Sequence, residues 1–346
     1  MISVAHALET VLNAAQNFGV EEVSFIKSIG RILKEDIAAD RDFPPFNRVA
    51  MDGITIDSIS FKNGQRRFKV EGIQAAGSEQ ITLLDPKNCI EVMTGAVLPN
   101  KANTVIRYED ITIENGIAII NIDSINDGQN IHTKGKDGNA GAILIQKNTK
   151  ISAAEIGVLA TVGKSFVKVV KQPKVMIVST GDELVGVAEV PLEHQIRRSN
   201  VFTLVSLLER LNIPSETAHI TDDKPILKAR IKWYLQEYDV LLFSGAVSKG
   251  KFDFLPEIFE ELAVEKRFHK VAQRPGKPFW FGCSASSSRI DQDANLDRNK
   301  KTIVFGFPGN PISTFVNCLA YFYPWYYKSI GLEMRQETAI LGEDVF

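Results

Sequence analysis

The residues best suited to chemistry fall in a few short polar stretches. "SGAVSKGKFDF" (244–254) sets Gly245, Gly250 and Lys251 at the spacing of a nucleotide-binding loop. The next residue is Phe252, where such a loop needs Ser or Thr to hold Mg²⁺. "STGDEL" (179–184) carries Asp182 and Glu183, "TDD" (221–223) carries Asp222 and Asp223, and Asp253 falls near the end of the first stretch. "RPGKP" (274–278) and "FPGNP" (307–311) add Arg274 and Lys277 beside glycines and prolines. Carboxylates close to a basic, glycine-rich loop suit Mg²⁺ together with a phosphate or another oxyanion, because Mg²⁺ takes carboxylate and phosphate oxygens and keeps several waters. In that reading the backbone N–H groups of 244–254 and the start of the following helix cradle an anion, and Asp253 reaches a metal.

A plain structural role is available to each of these residues. Asp253 precedes Leu255, Ile258, Phe259 and Leu262 at helical spacing and would serve as a helix cap. Asp182 and Glu183 would serve as turn acids, Asp222 and Asp223 as caps for a helix starting near Pro225, and Asp52 in "MDG" as a turn residue before glycine. Arg274 and Lys277 would be solvated charges. What favours the chemical reading is common location, which depends on the elements that carry these stretches.

After Pro173 the chain alternates: strand "KVMIVST", helix from Ser199 and Asn200 through Leu211, strand "TAHIT", helix 225–237, strand "DVLLFSG", helix 253–263. The alternation predicts a mostly parallel sheet with helices on both faces, followed by strands "KRFHKVA", "FWFGC" and "TIVFGF" and a last helix from Ile312 to Ile330. Residues 283–301 are polar and aperiodic and read as a surface loop. All the polar stretches then fall at one edge of the sheet, beyond the carboxyl ends of its strands, where such folds bind ligands. Upstream, residues 3–18 read as an amphipathic helix with Ser3 as N-cap, and "RDFPPFNRVAMDG" excludes regular helix and marks a hinge. From 53 to 135 short β-type runs such as "RFKVEGI", "CIEVMTG", "NTVIRYED" and "GIAIINI" predict a β-rich domain. Helical signal returns at "ISAAEIGVLATVG", where Ser152 and Glu155 form a capping box. The fold class expected is therefore multidomain α/β: an elongated helical domain from 1–44 and 136–172, an inserted β-rich domain at 45–135, and an α/β domain at 173–330.

Composition narrows the functions. A chain of 346 residues exceeds what one core needs. A net charge of −2 gives no global field for nucleic acid or an anionic membrane, so any anion site is local. Cys89, Cys283 and Cys318 are odd in number and far apart, and His6, His132, His194, His219 and His269 contain no H-x-x-x-H pair, so a bound metal would be held by carboxylates. The N-terminal segment lacks the pattern of a signal peptide, and no stretch approaches the roughly 18 apolar residues of a membrane span, so a cytoplasmic protein is expected.

Seven segments together resemble the molybdopterin molybdenumtransferases, the bacterial enzymes and the gephyrin E domain that insert molybdenum into molybdopterin. They are "FPPFNRVAMDG", "MTGAVLPNKANTVIRYED", "GKDGNAG", "VSTGDELV", "SGAVSKGKFDF", "RPGKPFWFG" and "FGFPGNPIST", in family order over nearly the whole chain. The resemblance implies insertion of molybdate into adenylylated molybdopterin, Mg²⁺-dependent hydrolysis of the adenylate and release of AMP. It implies that 173–330 binds molybdopterin, that the enzyme is a homodimer, and that it can contact the adenylyltransferase of the same pathway. By motif position it implies catalytic roles for Asp52, Thr94, Asp137, Glu183 and Asp253, and a metal held by Glu183, Asp222 and Asp253. Substrate would be held by Asp182, Asn200, Ser248, Gly250, Arg274, Gly276, Lys277, Pro278, Pro308 and Asn310. Val49, Asn47, Asn103, Lys136 and Ala246 depart from the family's usual residues, while Arg274 keeps the charge of a common lysine. The family continues into a small C-terminal β-barrel domain, which 331–346 would begin. The alternative functions are a molybdopterin-binding scaffold without turnover, a P-loop NTPase, and a sibling adenylyltransferase sharing the α/β domain.

Overall fold

Several strands are buried at every position, among them Val175–Thr180, Val240–Ser244 and Ile303–Phe307. Continuous apolar runs of this kind belong to central strands covered on both faces. In the computed structural model, which describes residues 1–245, 254–284 and 301–334, these three are β1 (Val175–Thr180), β3 (Val240–Ser244) and β6 (Ile303–Phe307) of a six-stranded sheet. With β2 (Ser215–Ile220), β4 (Val264–His269) and β5 (Trp280–Ser284) the order is β2-β1-β3-β6-β5-β4. Strands β2, β1, β3 and β6 run parallel, in register from Val175 opposite Ser215 and Val240. Only β5 runs against the others, antiparallel to β6 on one side and to β4 on the other, so the sheet is mostly parallel, as the sequence suggested. The reason for the reversal is local: only residues 270–279 join β4 to β5, too few for the helical crossover that a parallel neighbour requires.

Alternate residues of each strand enter opposite cores. Val175, Ile177, Leu242, Phe305 and Phe307 pack with α2 (Asn200–Glu209) and α6 (Tyr323–Ser329), while Met176, Val178, Leu241, Phe243 and Val304 pack with α3 (Lys224–Glu237) and α4 (Leu255–Glu261). The last helix runs without interruption, close to the expected span, from α5 (Pro311–Asn317) through a π-helical segment at Cys318–Phe322 into α6. The N-terminal helix, α1 (Val4–Leu12), is capped by the Ser3 hydroxyl as expected but stops well short of residue 18. Beyond Asn13 the chain leaves the helix for tertiary partners: Trp325 Nε1 donates to the backbone Ala14 O at 3.1 Å, and the Gln16 side chain donates from Nε2 to Lys301 O at 2.8 Å.

These elements, with residues 1–35 and 148–153, form one compact unit; 36–147 and 154–165 form another. The second holds the β-rich domain as a six-stranded sheet in the order Thr104–Arg107, Gly53–Ile56, Asn88–Val92, Arg67–Gln74, Ile117–Ile120, Ile111–Glu114. The segments expected to be a helical domain hold only two α-helices, Val4–Leu12 and Ala153–Thr161, together with short strand pairs such as Val20–Ser24 with Phe166–Val170. The surface loop expected at 283–301 is a strand through Ser284, and 285–300 lie outside the described residues. No helix among the described residues is long and apolar enough to cross a membrane.

Candidate active site

Strand β1 delivers Thr180 to the carboxyl edge of the sheet, and Gly181 then turns the chain at φ +131°. A Cβ at residue 181 would lie 2.4 Å from Glu183 Oε2, so a glycine is what lets the glutamate fold back over the turn. Leu184–Val185 then pairs in parallel with Ile196–Arg197, with Ile196 N–H donating to Glu183 O at 2.8 Å and Arg198 N–H to Val185 O at 3.0 Å. That pairing carries Arg197, Arg198 and Ser199 to the N-terminus of α2. The result is a cleft of about 100 Å³ lined by Thr180, Glu183, Arg198, Asn200, Ser244 and Gly309 among others.

The cleft is polar, and its hydrogen bonding is incomplete. Asn200 Nδ2 donates to Ser244 Oγ and to Gly309 O, both at 2.8 Å, which fixes the amide and leaves its buried Oδ1 without a partner. Thr180 Oγ1 and Arg198 Nε are likewise buried and unpartnered. Among the described residues five buried side-chain atoms lack a partner, and these three line one cleft. Buried polar groups are normally hydrogen-bonded, so this concentration marks a place for a ligand that accepts from Arg198 and donates to Asn200. The N-terminus of a ten-residue helix and two guanidiniums add a local positive field in a chain whose net charge is −2.

The other sheet-edge residues divide between site and scaffold. Asp182 Oδ1 accepts from the backbone N–H of Asp222 at 3.1 Å, tying the turns after β1 and β2 together. Asp223 is the N-cap of α3, accepting from Ile226 N–H at 2.9 Å, so for this acid the structural role holds. Asn310 is also a cap, accepting from Ser313 N–H at 3.0 Å, and Pro308 O accepts from Thr314 Oγ1 at 2.6 Å. These contacts use the Asn310 amide oxygen and the Pro308 carbonyl to build the start of α5 rather than to face the cleft. Arg274, Lys277 and Pro278 precede β5, whose first residue pairs with Gly306 near the end of β6, so they lie at the same sheet edge. Arg274 and Lys277 are exposed and do not line the cleft of Thr180. Their loop is pinned from below: buried Asn317 donates from Nδ2 to Gly276 O at 3.2 Å and accepts from Gln273 Nε2 at 2.5 Å. Gly276 has φ +95°, and a Cβ there would lie 2.4 Å from Asn317 Oδ1. Ser248, Gly250, Lys251 and Asp253 lie outside the described residues. Among the described residues no three His, Cys, Asp or Glu side chains gather to hold a metal. Glu183 and Asp222 do not make a Mg²⁺ site by themselves.

In the other unit, Asp52 Oδ1 accepts from Thr94 N–H at 2.6 Å. Hydrogen bonds from the Thr94 backbone and side chain hold the Asp52 carboxyl below the usual carboxylate range, so it is ionised at neutral pH. Gly53 follows because a Cβ there would strike Ile106 O at 1.9 Å in the neighbouring strand. Asp137 is exposed, with Oδ1 3.2 Å from His132 Nε2. Residues 128–132 and 93–97 flank the segment 48–50 on either side, with Ala50 N–H donating to Asn130 O and Gly95 N–H to Val49 O, both at 2.9 Å. Asp52, Thr94 and Asp137 are therefore all borne on segments joined through 48–52.

Sequence reasoning missed Thr180, Arg197 and Arg198 in the first unit and Arg48 and His132 in the second. Thr180 ends an apolar strand. "IRRSN" reads as a charged surface run until its parallel pairing with Leu184–Val185 is known.

Comparison with known proteins gives this geometry a context. Residues 2–163 match the family model for the MoeA N-terminal region, domains I and II, and residues 176–325 match that for a probable molybdopterin binding domain. A molybdopterin molybdenumtransferase of Synechocystis sp. is 41% identical over 93% of this chain and 80% of its own length. One from Staphylococcus aureus is 34% identical over 91% of this chain and 72% of its own. Among solved structures, the molybdopterin biosynthesis MoeA protein of Pyrococcus horikosii superposes with a TM-score of 0.76 at 31% identity, covering 96% of this chain and 80% of that one.

Proposed function

The chain belongs to the molybdopterin molybdenumtransferase family of molybdenum cofactor biosynthesis, and on that premise we propose that it inserts molybdate into adenylylated molybdopterin with Mg²⁺-dependent release of AMP. The observation that carries the proposal is the cleft at the carboxyl edge of the sheet, with three buried, unpartnered side-chain atoms between the end of β1 and the start of α2. A pterin joined to phosphates presents both kinds of group that such a cleft lacks. Its ring N–H groups are donors for Asn200 Oδ1, and its oxygens are acceptors for Arg198 and the helix N-terminus. Glu183, folded over Gly181, supplies a carboxylate at the same edge. Arg274 and Lys277, on the loop braced by Asn317, are the proposed anchors for the molybdate dianion. Asp52, ionised and held by Thr94, and Asp137 are the proposed polar groups of the β-rich unit.

The Mg²⁺ requirement rests on the resemblance and on Asp253, because the described carboxylates do not form a site without it. The proposed homodimer is checked by light scattering, which should give twice the 38.4 kDa of one chain.

The function itself is tested by incubating the chain with adenylylated molybdopterin, molybdate and Mg²⁺ and following AMP. Release of AMP that requires molybdate supports the enzyme. Binding of the nucleotide without any release supports the scaffold reading instead. Asp253→Asn should abolish release and Lys251→Ala should affect it little; the reverse ranking would restore the nucleotide-loop reading of 244–254.

A further inference from the structure

Arg48–Val49 and Ile131–His132 form a short antiparallel pair in which Arg48 stands directly opposite His132. Side chains so placed meet across the pair, and Arg48 Nη2 lies 3.3 Å from His132 Nδ1. The chain then turns through Thr133–Lys136, closed by Lys136 N–H donating to Thr133 O at 3.2 Å, with Gly135 at φ +74°. It returns with Asp137, whose N–H donates to Phe43 O at 2.9 Å and whose Oδ1 lies 3.2 Å from His132 Nε2. One imidazole thus bridges a guanidinium and a carboxylate, and each of its nitrogens faces a different chemistry.

A guanidinium has donors and no acceptor. For the Arg48 contact to be a hydrogen bond, His132 Nδ1 must offer its lone pair, which places the single ring proton on Nε2, facing Asp137. An imidazolium would set an Nδ1–H against the guanidinium, donor against donor and cation against cation. The alternative of a plain His132–Asp137 ion pair therefore conflicts with Arg48, and at an exposed position such a pair would contribute little.

We propose that His132 is a positioning residue for Asp137: Arg48 fixes the neutral imidazole with its proton on Nε2, and Nε2–H holds Asp137 Oδ1 so that Oδ2 is presented to the substrate. The proposal deepens the reading of Asp137 as a site residue and rests on it. Asp137 is an exposed carboxylate on a turn, where a free side chain would sample several rotamers, and small misplacement of a reacting group is costly in rate. The two side chains that restrain it come from one strand pair whose register is already set by the backbone.

The direct test is nitrogen NMR of the full chain labelled with ¹⁵N-histidine, which separates the two neutral tautomers and the imidazolium by their nitrogen shifts. At pH 7.5 His132 should show a protonated Nε2 and an unprotonated Nδ1, and Arg48→Met should relax this to a mixture of tautomers. A proton on Nδ1, alone or with Nε2, overturns the proposal. The functional arm follows AMP release: His132→Leu should lower kcat roughly tenfold, the scale of one hydrogen bond to a charged group. His132→Gln, whose amide N–H reaches the Nε2 position, should restore most of that loss. In an Asp137→Ala background His132→Leu should cost nothing further, whereas additive losses overturn the claim that His132 acts through Asp137. If the parent chain releases no AMP, the function proposed above fails, while the nitrogen shifts still decide the tautomer.

Discussion

Thr180→Val should make the free protein more stable and its ligand weaker. Thr180 is 3% exposed, ends a strand that is buried throughout, and its hydroxyl has no partner. Burying a hydroxyl without a hydrogen bond costs about 1–3 kcal/mol by the evidence of protein mutants. Valine keeps the β-branched shape and the strand preference and replaces the orphaned oxygen by a methyl group. Allowing for imperfect fit of that methyl, the gain is about 1 kcal/mol, or roughly 2–4 °C in Tm for a unit of this size. If the hydroxyl waits for a ligand, the same change removes one net hydrogen bond of about 0.5–1.5 kcal/mol, so Kd for adenylylated molybdopterin should rise roughly twofold to tenfold. Scanning calorimetry of the free chain and titration calorimetry with the nucleotide measure the two halves separately. A lowered Tm with unchanged affinity would mean that the hydroxyl is satisfied in the free protein and idle in the complex, and that Thr180 is no part of the ligand site.

Asn200→Ala makes the opposite kind of change, since it breaks the bonds to Ser244 and Gly309 as well as the open acceptor; Tm and affinity should both fall. Asn317→Leu leaves the Gly276 carbonyl and the Gln273 amide short of partners and should cost about 2–4 kcal/mol, with AMP release impaired beyond the loss of folded protein, as denaturant titration beside kinetics would show. Asp52→Asn still accepts from Thr94 N–H, so its Tm should match the parent while AMP release drops sharply. Glu261 is pulled down to about 2 by hydrogen bonds from Lys228 and Lys224, so it binds fewer protons folded than unfolded. Its stabilisation should be present above about pH 4.5 and fade as pH falls towards 2, and melts of Glu261→Gln against the parent should converge over that window and at high salt.

The order of strands and helices after residue 173 was legible because each strand is a short apolar run bounded by turn residues and each helix carries its own start signal. Asp223 before Pro225 is one such signal, and the cap it makes is the one its position suggested. The edge at which the polar stretches gather followed from the alternation alone. Other features were not legible, for identifiable reasons. The reversal of β5 between β4 and β6 depends on the short connection at 270–279, whose consequence appears only once β6 has inserted beside β5. The early end of α1 comes from Trp325 and Lys301, some 300 residues away in the chain, which no local pattern encodes. Arg198 enters the cleft through parallel pairing of two dipeptide strands, Leu184–Val185 and Ile196–Arg197, too short to register as periodicity. His132 carries no motif of its own. Its meaning appears only when Arg48, 84 residues earlier, lies opposite it.

Transfer of molybdenum is distinguished from mere binding of the pterin by one comparison: AMP formed from adenylylated molybdopterin with and without molybdate, each in Mg²⁺ and in excess chelator. AMP is expected in stoichiometric or greater yield only where molybdate and Mg²⁺ are both present. AMP release that is equal without molybdate, or none at all from a chain that demonstrably binds the nucleotide, would contradict transfer of molybdenum by this chain.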